Sequence, residues 1–373
     1  MEPGRRCSGA NGAGHSYHGC VPADVRVPAA SSRSGPAAVL HRWAAPVISP
    51  TPASLRRLAL ASVVANVGIV ATGAAVRLSN SGLGCLDWPD CTKSSLVAAP
   101  RSGEPMFHTW IEFGNRTLTG VLEVIAVLVF IAAWRFRPPG AASRRRDLVL
   151  LAAAQPAGVI LQALIGGVVV LTGLDPAWVS GHFVLSAVVV AAAVALHARC
   201  TEASGPARLL VRRELWLLGL GMLAVVLAML VAGTIVTGTG PLAGAPGVPR
   251  YHLQLQGVTQ FHADIGWLLG GVTFALLLGL RLTGAPERIL RLGYLLIGLI
   301  AAQGLLGYLQ YFAHLPAGLV WVHESSSMLI WVVALRLVFA LRDRGSITGP
   351  APEPEPADPA ARPAPGEVGA PAV

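Results

Sequence analysis

Long apolar segments constrain the fold of this chain more than any other feature of its sequence. Several of them exceed the ~18 consecutive residues that indicate a membrane-spanning helix. Hydrophobic residues make up 53% of the 373 residues and charged residues 13%, which is unlike an ordinary soluble domain. The sequence therefore predicts an all-α integral membrane fold. The predicted spans are residues 55–78, 109–134, 147–171, 178–198, 215–237, 258–282, 289–313 and 317–341.

Arginine residues cluster at alternate ends of these spans. Loops on the cytoplasmic side of a membrane carry an excess of Arg and Lys, and placing every cluster there gives one consistent topology. The chain is then a multi-pass protein of the cell membrane with both termini in the cytoplasm. The net charge of +9 comes without a basic face or an aromatic platform, so the sequence predicts no nucleic-acid partner.

Both ends of the chain differ in composition from the spans. The first residues are rich in Gly, Pro, Ser and Arg, and a tail rich in Pro, Ala and Glu follows the last span. Such compositions predict disorder. The predicted parts are a disordered leader at 1–52, an N-terminal half at 53–200, a C-terminal half at 213–342 and a disordered cytoplasmic tail at 343–373.

A pattern of Gln, Gly, His and Ser occurs twice, with a constant shift of 141 residues. In each copy Gln precedes Gly by four residues and His by twenty, and Ser follows His by four. The pattern predicts two repeated four-helix bundles of the same orientation. The Gln side chains are expected to hydrogen-bond across helices, and the Gly residues to allow close approach. The copies are Gln162, Gly166, His182 and Ser186, and Gln303, Gly307, His323 and Ser327.

Ionisable residues inside membrane spans are costly and indicate function. His262 begins the sixth span and His323 lies early in the eighth, so both are near the outer ends of their helices. Two neutral imidazoles on facing helices, without a nearby Cys, suit a six-coordinate haem iron better than structural zinc. The alternative is a pair of ordinary polar contacts between helices.

In the first half His182 matches His323, but its expected partner is absent. The position equivalent to His262 falls within residues 111–116, where Asn115 stands in place of a His. His108, Glu112 and Asn115 are spaced by four and three residues and share one helical face. His108 could therefore replace the missing ligand, or it could be an exposed loop residue.

Glu112 is a carboxylate near the rim of the bundle, beside Arg116. Such a group is expensive in a membrane unless it is used in chemistry or paired. An ion pair with Arg116 at helical spacing is the purely structural alternative. Outside the membrane, Cys85 and Cys91 can close a small loop, either as a structural lid or as a redox-active pair.

Together these residues resemble the haem A synthases of the cytochrome oxidase assembly family. The resemblance covers about residues 55 to 340. It is carried by segments 73–77, 81–91, 112–116, 162–173 and 303–316, and by His182, His262 and His323.

The resemblance implies an eight-helix fold of two halves and oxidation of the C8 methyl group of haem O to a formyl group. It implies that His262 and His323 ligate a resident haem b, that Glu112 is the catalytic carboxylate, and that Cys85 and Cys91 form a disulfide. The substrate haem is expected in the first half. Its predicted contacts are His182, Asn115, His108 and Arg116.

Expected partners are haem O, haem O synthase (protohaem farnesyltransferase), a quinol or other electron donor, membrane lipid and a second copy of the chain in a homo-oligomer. The sequence departs from the better-known family pattern at Asn115. An iron held by His182 alone would be five-coordinate, with one open position for oxygen.

Two other functions compete with the synthase. A non-enzymatic di-haem b cytochrome would explain the histidines, but it would explain neither Glu112 nor the difference between the halves. A transporter built from parallel repeats usually has its site at broken helices near the midplane, whereas these histidines cluster towards one face.

Overall fold

The computed structural model describes residues 44–93, 95–99, 105–138 and 143–347. Eight helices of this described part are long and apolar enough to cross a membrane. The predicted all-α membrane fold is therefore confirmed. The elements are α1 (Pro52–Leu78), α2 (Met106–Arg135), α3 (Arg146–Leu171), α4 (Pro176–Arg199), β1 (Arg208–Leu209), α5 (Arg213–Thr239), α6 (Leu255–Leu282), α7 (Glu287–Phe312), α8 (Ala317–Ala340) and β2 (Arg342–Asp343).

Contacts between the helices fall into two groups of four. In the first group α1 and α3 each pack against α2 and α4, and in the second α5 and α7 each pack against α6 and α8. The groups meet along a seam where α4 contacts α5 and α8, and α1 contacts α8. These contacts are those expected of two four-helix bundles, whereas the duplication of one bundle into the other stays a prediction.

A large cluster of buried apolar residues lies along this seam. Val190, Met222 and Met328 are 0% exposed within it. The indole of Trp331 on α8 donates its Nε1–H to the carbonyl of Ala187 on α4 at 2.8 Å. Because lipid tails are as apolar as these side chains, close packing and such hydrogen bonds hold the helices together.

Two turns between helices share one backbone geometry. Gly173 and Leu174 between α3 and α4 have φ of +66° and +63°, and His314 and Leu315 between α7 and α8 have φ of +62° and +60°. In each turn the leucine N–H donates at 2.8 Å to the carbonyl five residues earlier. The same shift of 141 residues relates the turns, so the two helices that carry the repeated histidine begin from turns of the same shape.

The chain has defined local structure beyond both predicted domain boundaries. A helical turn occupies residues 44–48, and Thr51 caps α1 by accepting a hydrogen bond from the Ser54 N–H at 3.1 Å. After α8, β2 pairs antiparallel with β1, and Glu202 forms a bridge to Ser346. Disorder was predicted for residues 44–52 and 343–347, and this pairing and capping correct that boundary. The rest of the predicted leader and tail lies outside the described residues.

Several arginines at one end of the bundle, which we call the basic end, are paired with carboxylates. Asp147 accepts from Arg145 at 2.7 Å and from Arg199 at 2.5 Å. Arg199 also pairs with Glu202 at 2.5 Å. Because Arg145 and Arg199 are only 5% and 8% exposed, these carboxylates offset the cost of burying their charge.

Cys200 at the end of α4 is fully buried, and burial raises the pKa of its thiol to about 12. Because the thiolate is the reactive form, we expect the folded protein to react with a maleimide at roughly a hundredth or less of the rate of the unfolded protein. A Cys7→Ser/Cys20→Ser variant leaves Cys200 as the free thiol to be followed by mass spectrometry. Equal labelling before and after denaturation in dodecyl sulfate would contradict the burial.

Candidate functional site

Two imidazoles face each other between α6 and α8. His262 is the eighth residue of α6 and His323 the seventh of α8, and their ring centroids are 6.4 Å apart at an interplanar angle of 63°. Metal–nitrogen bonds of about 2.0 Å on opposite sides of one ion would place two imidazole centroids roughly 6 Å apart. The spacing of the two rings therefore fits two axial ligands of one metal.

Each of three histidines lies against a glycine of the preceding helix, which we call its glycine seat. A Cβ added at the glycine would lie between 3.2 and 3.3 Å from the ring Cε1 atom in every case. The Nδ1 atoms of the three rings are buried without a hydrogen-bond partner among the described residues. One seat, Gly233, falls outside the 141-residue repeat and was not predicted. The pairs are Gly166–His182, Gly233–His262 and Gly307–His323.

The predicted hydrogen bonds of the two repeated glutamines are confirmed. Gln162 donates through Nε2 to the carbonyl of His182 at 3.1 Å, and Gln303 donates to the carbonyl of His323 at 2.6 Å. Each bond joins consecutive helices at the level of the histidine. The serine partners differ, because Ser326 rather than the repeat-related Ser327 donates to Gln303, at 2.7 Å.

Glu112 is 5% exposed and fully hydrogen-bonded. Its Oε2 accepts from the backbone N–H of Cys85 at 2.8 Å, and its Oε1 accepts from Arg116 at 2.6 Å. The ion pair that the sequence allowed is therefore present. The carboxylate also contacts the outer loop, so it joins α2 to the segment that covers this end of the bundle.

Arg116 has all five of its N–H groups engaged. Two hydrogen bonds go to Glu112 Oε1 and three to the carbonyl oxygens of Cys85, Asp87 and Asp90, at distances of 2.6 to 3.2 Å. A guanidinium donates five hydrogen bonds and accepts none. Arg116 was predicted as a contact of the substrate haem, and in this structure its donors fasten the loop to α2.

The outer loop is closed by a disulfide between Cys85 and Cys91. Both sulfurs belong to residues that are at most 1% exposed. Trp88, between them, lies directly on Gly167 of α3, where a Cβ would approach the indole to 2.5 Å. Gly167 follows the glycine seat of His182 in the sequence. The loop therefore covers α3 immediately beside that histidine.

Asn115 and His108 make polar contacts of their own. Asn115 accepts through Oδ1 from Thr72 Oγ1 of α1 at 2.7 Å, a contact that the sequence did not indicate. His108 shares a 2.9 Å hydrogen bond between Nδ1 and Ser81 Oγ. The amide nitrogen of Asn115 and the Nε2 of His108 are thus the atoms left for a ligand.

One further ion pair links the two groups of helices beside His323. Arg77 of α1 donates to Glu324 of α8 and to the carbonyl of Leu242, and Thr237 of α5 donates to the same carboxylate at 3.3 Å. Glu324 is the residue after His323, so this pair fixes the helix that carries the imidazole against α1.

The sequence pattern of the cytochrome oxidase assembly protein family matches residues 56–335. The chain belongs to this family.

Similar proteins include the heme A synthase of Lysinibacillus sphaericus, which is 36% identical over 143 residues, 38% of this chain and 43% of that protein. The heme A synthase of Shewanella oneidensis is 23% identical over 327 residues, 75% of this chain and 94% of its own. The protoheme IX farnesyltransferase of Thermus thermophilus is 28% identical over 303 residues, 75% of this chain and 47% of its own. The chain thus spans less than half the length of the first and third of these relatives.

Removal of the Arg116 side chain should loosen the loop. In an Arg116→Met variant three loop carbonyls and Glu112 lose their donors, and hydrogen bonds to charged groups contribute roughly 1.5–3 kcal/mol each. We expect the buried disulfide to be reduced at least about tenfold faster by a water-soluble phosphine, as measured by alkylation and mass spectrometry.

Arg250 provides the matched control, because it donates to the carbonyls of Gly240 and Pro241 in the outer loop of the other half. An Arg250→Met variant should reduce at the rate of the unaltered protein. An equal increase in the rate of disulfide reduction in both variants would show that Arg116 does not specifically stabilise the disulfide loop.

Proposed function

We propose that this protein is a haem A synthase of the cell membrane, which oxidises the C8 methyl group of haem O to a formyl group through successive hydroxylations. The observation that carries the proposal is an asymmetry. Two imidazoles face each other in the second group of helices, whereas the first group combines His182 with a buried carboxylate beneath a disulfide-closed loop. Membership of the cytochrome oxidase assembly family and the similarity to two proteins named heme A synthase support the same function.

Haem b is the proposed resident cofactor, and His262 and His323 are the residues that would hold its iron. In the part of the chain that the structure describes, no group of three or more His, Cys, Asp and Glu could hold a bare metal ion. A haem iron needs only two protein ligands because the porphyrin supplies four. The 6.4 Å separation of the two ring centroids fits this group. Haem b bound here would supply one-electron relay to the other half.

The proposed substrate site lies in the first four helices and centres on His182. Thr72 holds the oxygen of Asn115, so the amide nitrogen faces away from α1 as a hydrogen-bond donor. Asn115 is a poor iron ligand, and the side opposite His182 is then open unless His108 approaches through Nε2. Arg116 contributes by keeping the loop closed over this site.

Glu112 is the proposed catalytic carboxylate. Its two oxygens are fixed by Arg116 and by the Cys85 amide, so the group is held in one orientation without bulk water. A carboxylate placed in this way can act as general acid and base. We assign Glu112 the transfer of protons to and from the hydroxyl groups that form on the substrate methyl carbon.

The competing function is a non-enzymatic di-haem b cytochrome. Such a protein needs a second pair of facing ligands for stable haem. The first four helices instead carry Asn115 bonded to Thr72, and they carry an ion pair whose partners hold a loop. This difference favours a half that receives and releases its haem.

Partners and orientation follow from the same proposal. Haem O synthase is the expected supplier of substrate, which fits the similarity to a longer protein named protoheme IX farnesyltransferase. Each hydroxylation would take one oxygen atom from molecular oxygen, with the other leaving as water, and a quinol or another reductant would supply the two electrons this requires. The arginine clusters support a cytoplasmic location of both termini, and the disulfide supports a location of the loop on the opposite side of the membrane. A homo-oligomer stays a prediction.

Glu112→Gln should abolish conversion while sparing the resident haem. Loss of general acid–base catalysis typically costs about 10²–10⁴-fold in rate. The measurement is expression in a host that makes haem O, followed by pigment extraction and chromatography for haem A and its hydroxylated intermediate. The reduced-minus-oxidised spectrum of the same membranes reports the haem b that remains.

Glu123→Gln is the matched control, because Glu123 is a second carboxylate of α2 that does not contact the disulfide loop. Conversion of haem O by this variant should be unchanged. Conversion that survives Glu112→Gln would refute the assigned role. Unchanged haem O with two stable b-type haems in the unaltered protein would favour the cytochrome instead.

Gly233→Val should displace the imidazole of His262. A Cβ at this position already lies 3.2 Å from the ring, and a branched side chain on the stiff helix cannot retreat. We expect haem b content per protein to fall to roughly a tenth or less, as it would for loss of one axial ligand.

Gly221→Val is the control on the same helix, since a Cβ there meets nothing within 4 Å. This variant should keep its full haem b spectrum. If Gly233→Val retains a low-spin bis-imidazole spectrum at full intensity, His262 is not seated by Gly233.

A further inference from the structure

A second polar site lies at the basic end of the seam, far from the histidine pair. The inner ends of α1, α4 and α8 surround an open cavity of about 820 Å³. Its polar lining includes Arg56, Arg57, His197 and Arg336, and Leu60 and Ile347 contribute apolar surface. Arg336 follows His323 on α8 by 13 residues, which is roughly 20 Å along a helix.

Two guanidinium groups converge on one imidazole in this cavity. Arg336 donates through Nη1 to His197 Nδ1 at 2.8 Å, and Arg56 Nε lies 3.5 Å from His197 Nε2. His197 is only 6% exposed. A guanidinium only donates, and a neutral imidazole has a single acceptor nitrogen. The three side chains therefore hold many more donors than acceptors.

No carboxylate balances this charge within the described residues. The buried arginines nearby, Arg145 and Arg199, share Asp147, whereas neither Arg56 nor Arg336 forms an ion pair with a described Asp or Glu. Arg336 is half-buried one turn before the end of α8, where an unpaired charge is costly. An anion is the missing component.

We propose that this cavity binds the phosphate group of an anionic phospholipid. The planar fork of a guanidinium matches two phosphate oxygens, and basic pockets between membrane helices bind anionic head groups. Leu60 is 47% exposed on the outer surface of α1, so it can lie along the acyl chain of the same lipid. Free phosphate shares the chemistry of the head group, but it has no acyl chain that could contact Leu60 and Ile347.

The location gives the lipid a structural role. Arg56 belongs to the first group of helices and Arg336 to the second, and His197 lies between them on α4. A phosphate held by both arginines would bridge the seam at the end opposite the Arg77–Glu324 pair. The site does not depend on the enzymatic function proposed above.

The test is native mass spectrometry of the full chain in detergent, titrated with phosphatidylglycerol. We expect one lipid to bind, and Arg56→Gln, Arg336→Gln and the double variant to weaken that binding by roughly tenfold or more. Phosphatidylcholine should bind at least about tenfold more weakly than phosphatidylglycerol. Arg212→Gln is the control, since Arg212 is an exposed arginine at the same end that pairs with Glu214, and it should bind as the unaltered protein does.

Three outcomes would overturn the proposal: equal binding by the double variant, no preference over phosphatidylcholine, or displacement of the lipid by millimolar inorganic phosphate. The last would make a free anion the ligand. Because Arg56 is exposed, Arg56→Gln tests the site even if Arg336→Gln does not fold. Arg336→Lys, which keeps the charge but loses the fork, should show intermediate binding.

Discussion

The contact on which this structure depends is the approach of an imidazole to the bare backbone of a neighbouring helix. Three histidines rest on glycines in this way, and any side chain at those glycines would meet the ring. In the two repeated copies a glutamine fixes the spacing at the same level by donating to the carbonyl of the histidine. Lipid offers no competing hydrogen-bond partners, so a single hydrogen bond from a glutamine side chain keeps its geometry. The ring positions are thus set by backbone contacts rather than by long side chains.

The two groups of helices then differ in the polar side chains that they carry besides the seated imidazole. In the second group this is another imidazole, at 6.4 Å between ring centroids. The first group instead carries a buried carboxylate on α2, Glu112, whose oxygens accept hydrogen bonds from Arg116 and the Cys85 amide. The disulfide loop lies beside the seat of His182, since Trp88 reaches the neighbouring glycine, Gly167. A bundle that retains a pigment needs no such cover, whereas a bundle that alters one must exclude water while it reacts.

The sequence predicted those features that depend on composition and on repetition. Eight apolar runs became eight helices, and the 141-residue shift located His182 and His323 together with their Gln and Gly partners. Features that depend on packing were missed. Gly233 has no counterpart at that shift, and Ser326 replaces Ser327 because the helix turns that face towards Gln303. His197 has no partner in the repeat, and its burial between two arginines, at 6% exposure, had no signal in the sequence. The hold of Arg116 on the loop was also missed, because three of its acceptors are backbone carbonyls of a loop whose path the sequence does not specify.

The seam explains how two dissimilar sites can work as one protein. The proposed electron relay between a resident and a substrate haem would require a fixed distance, and the contacts across α1, α4 and α8 would supply it. The indole of Trp331 reaches the Ala187 carbonyl in the core, and Trp321, two residues before His323, donates to the Ala71 carbonyl of α1 at 2.9 Å. Ala71 precedes Thr72, which holds Asn115. Arg77 and Glu324 close the outer end, and loss of either would leave an uncompensated charge that is only partly exposed. His182 and His323 are therefore each tied through their own helices to the opposite half, so neither helix can shift without disturbing the other group.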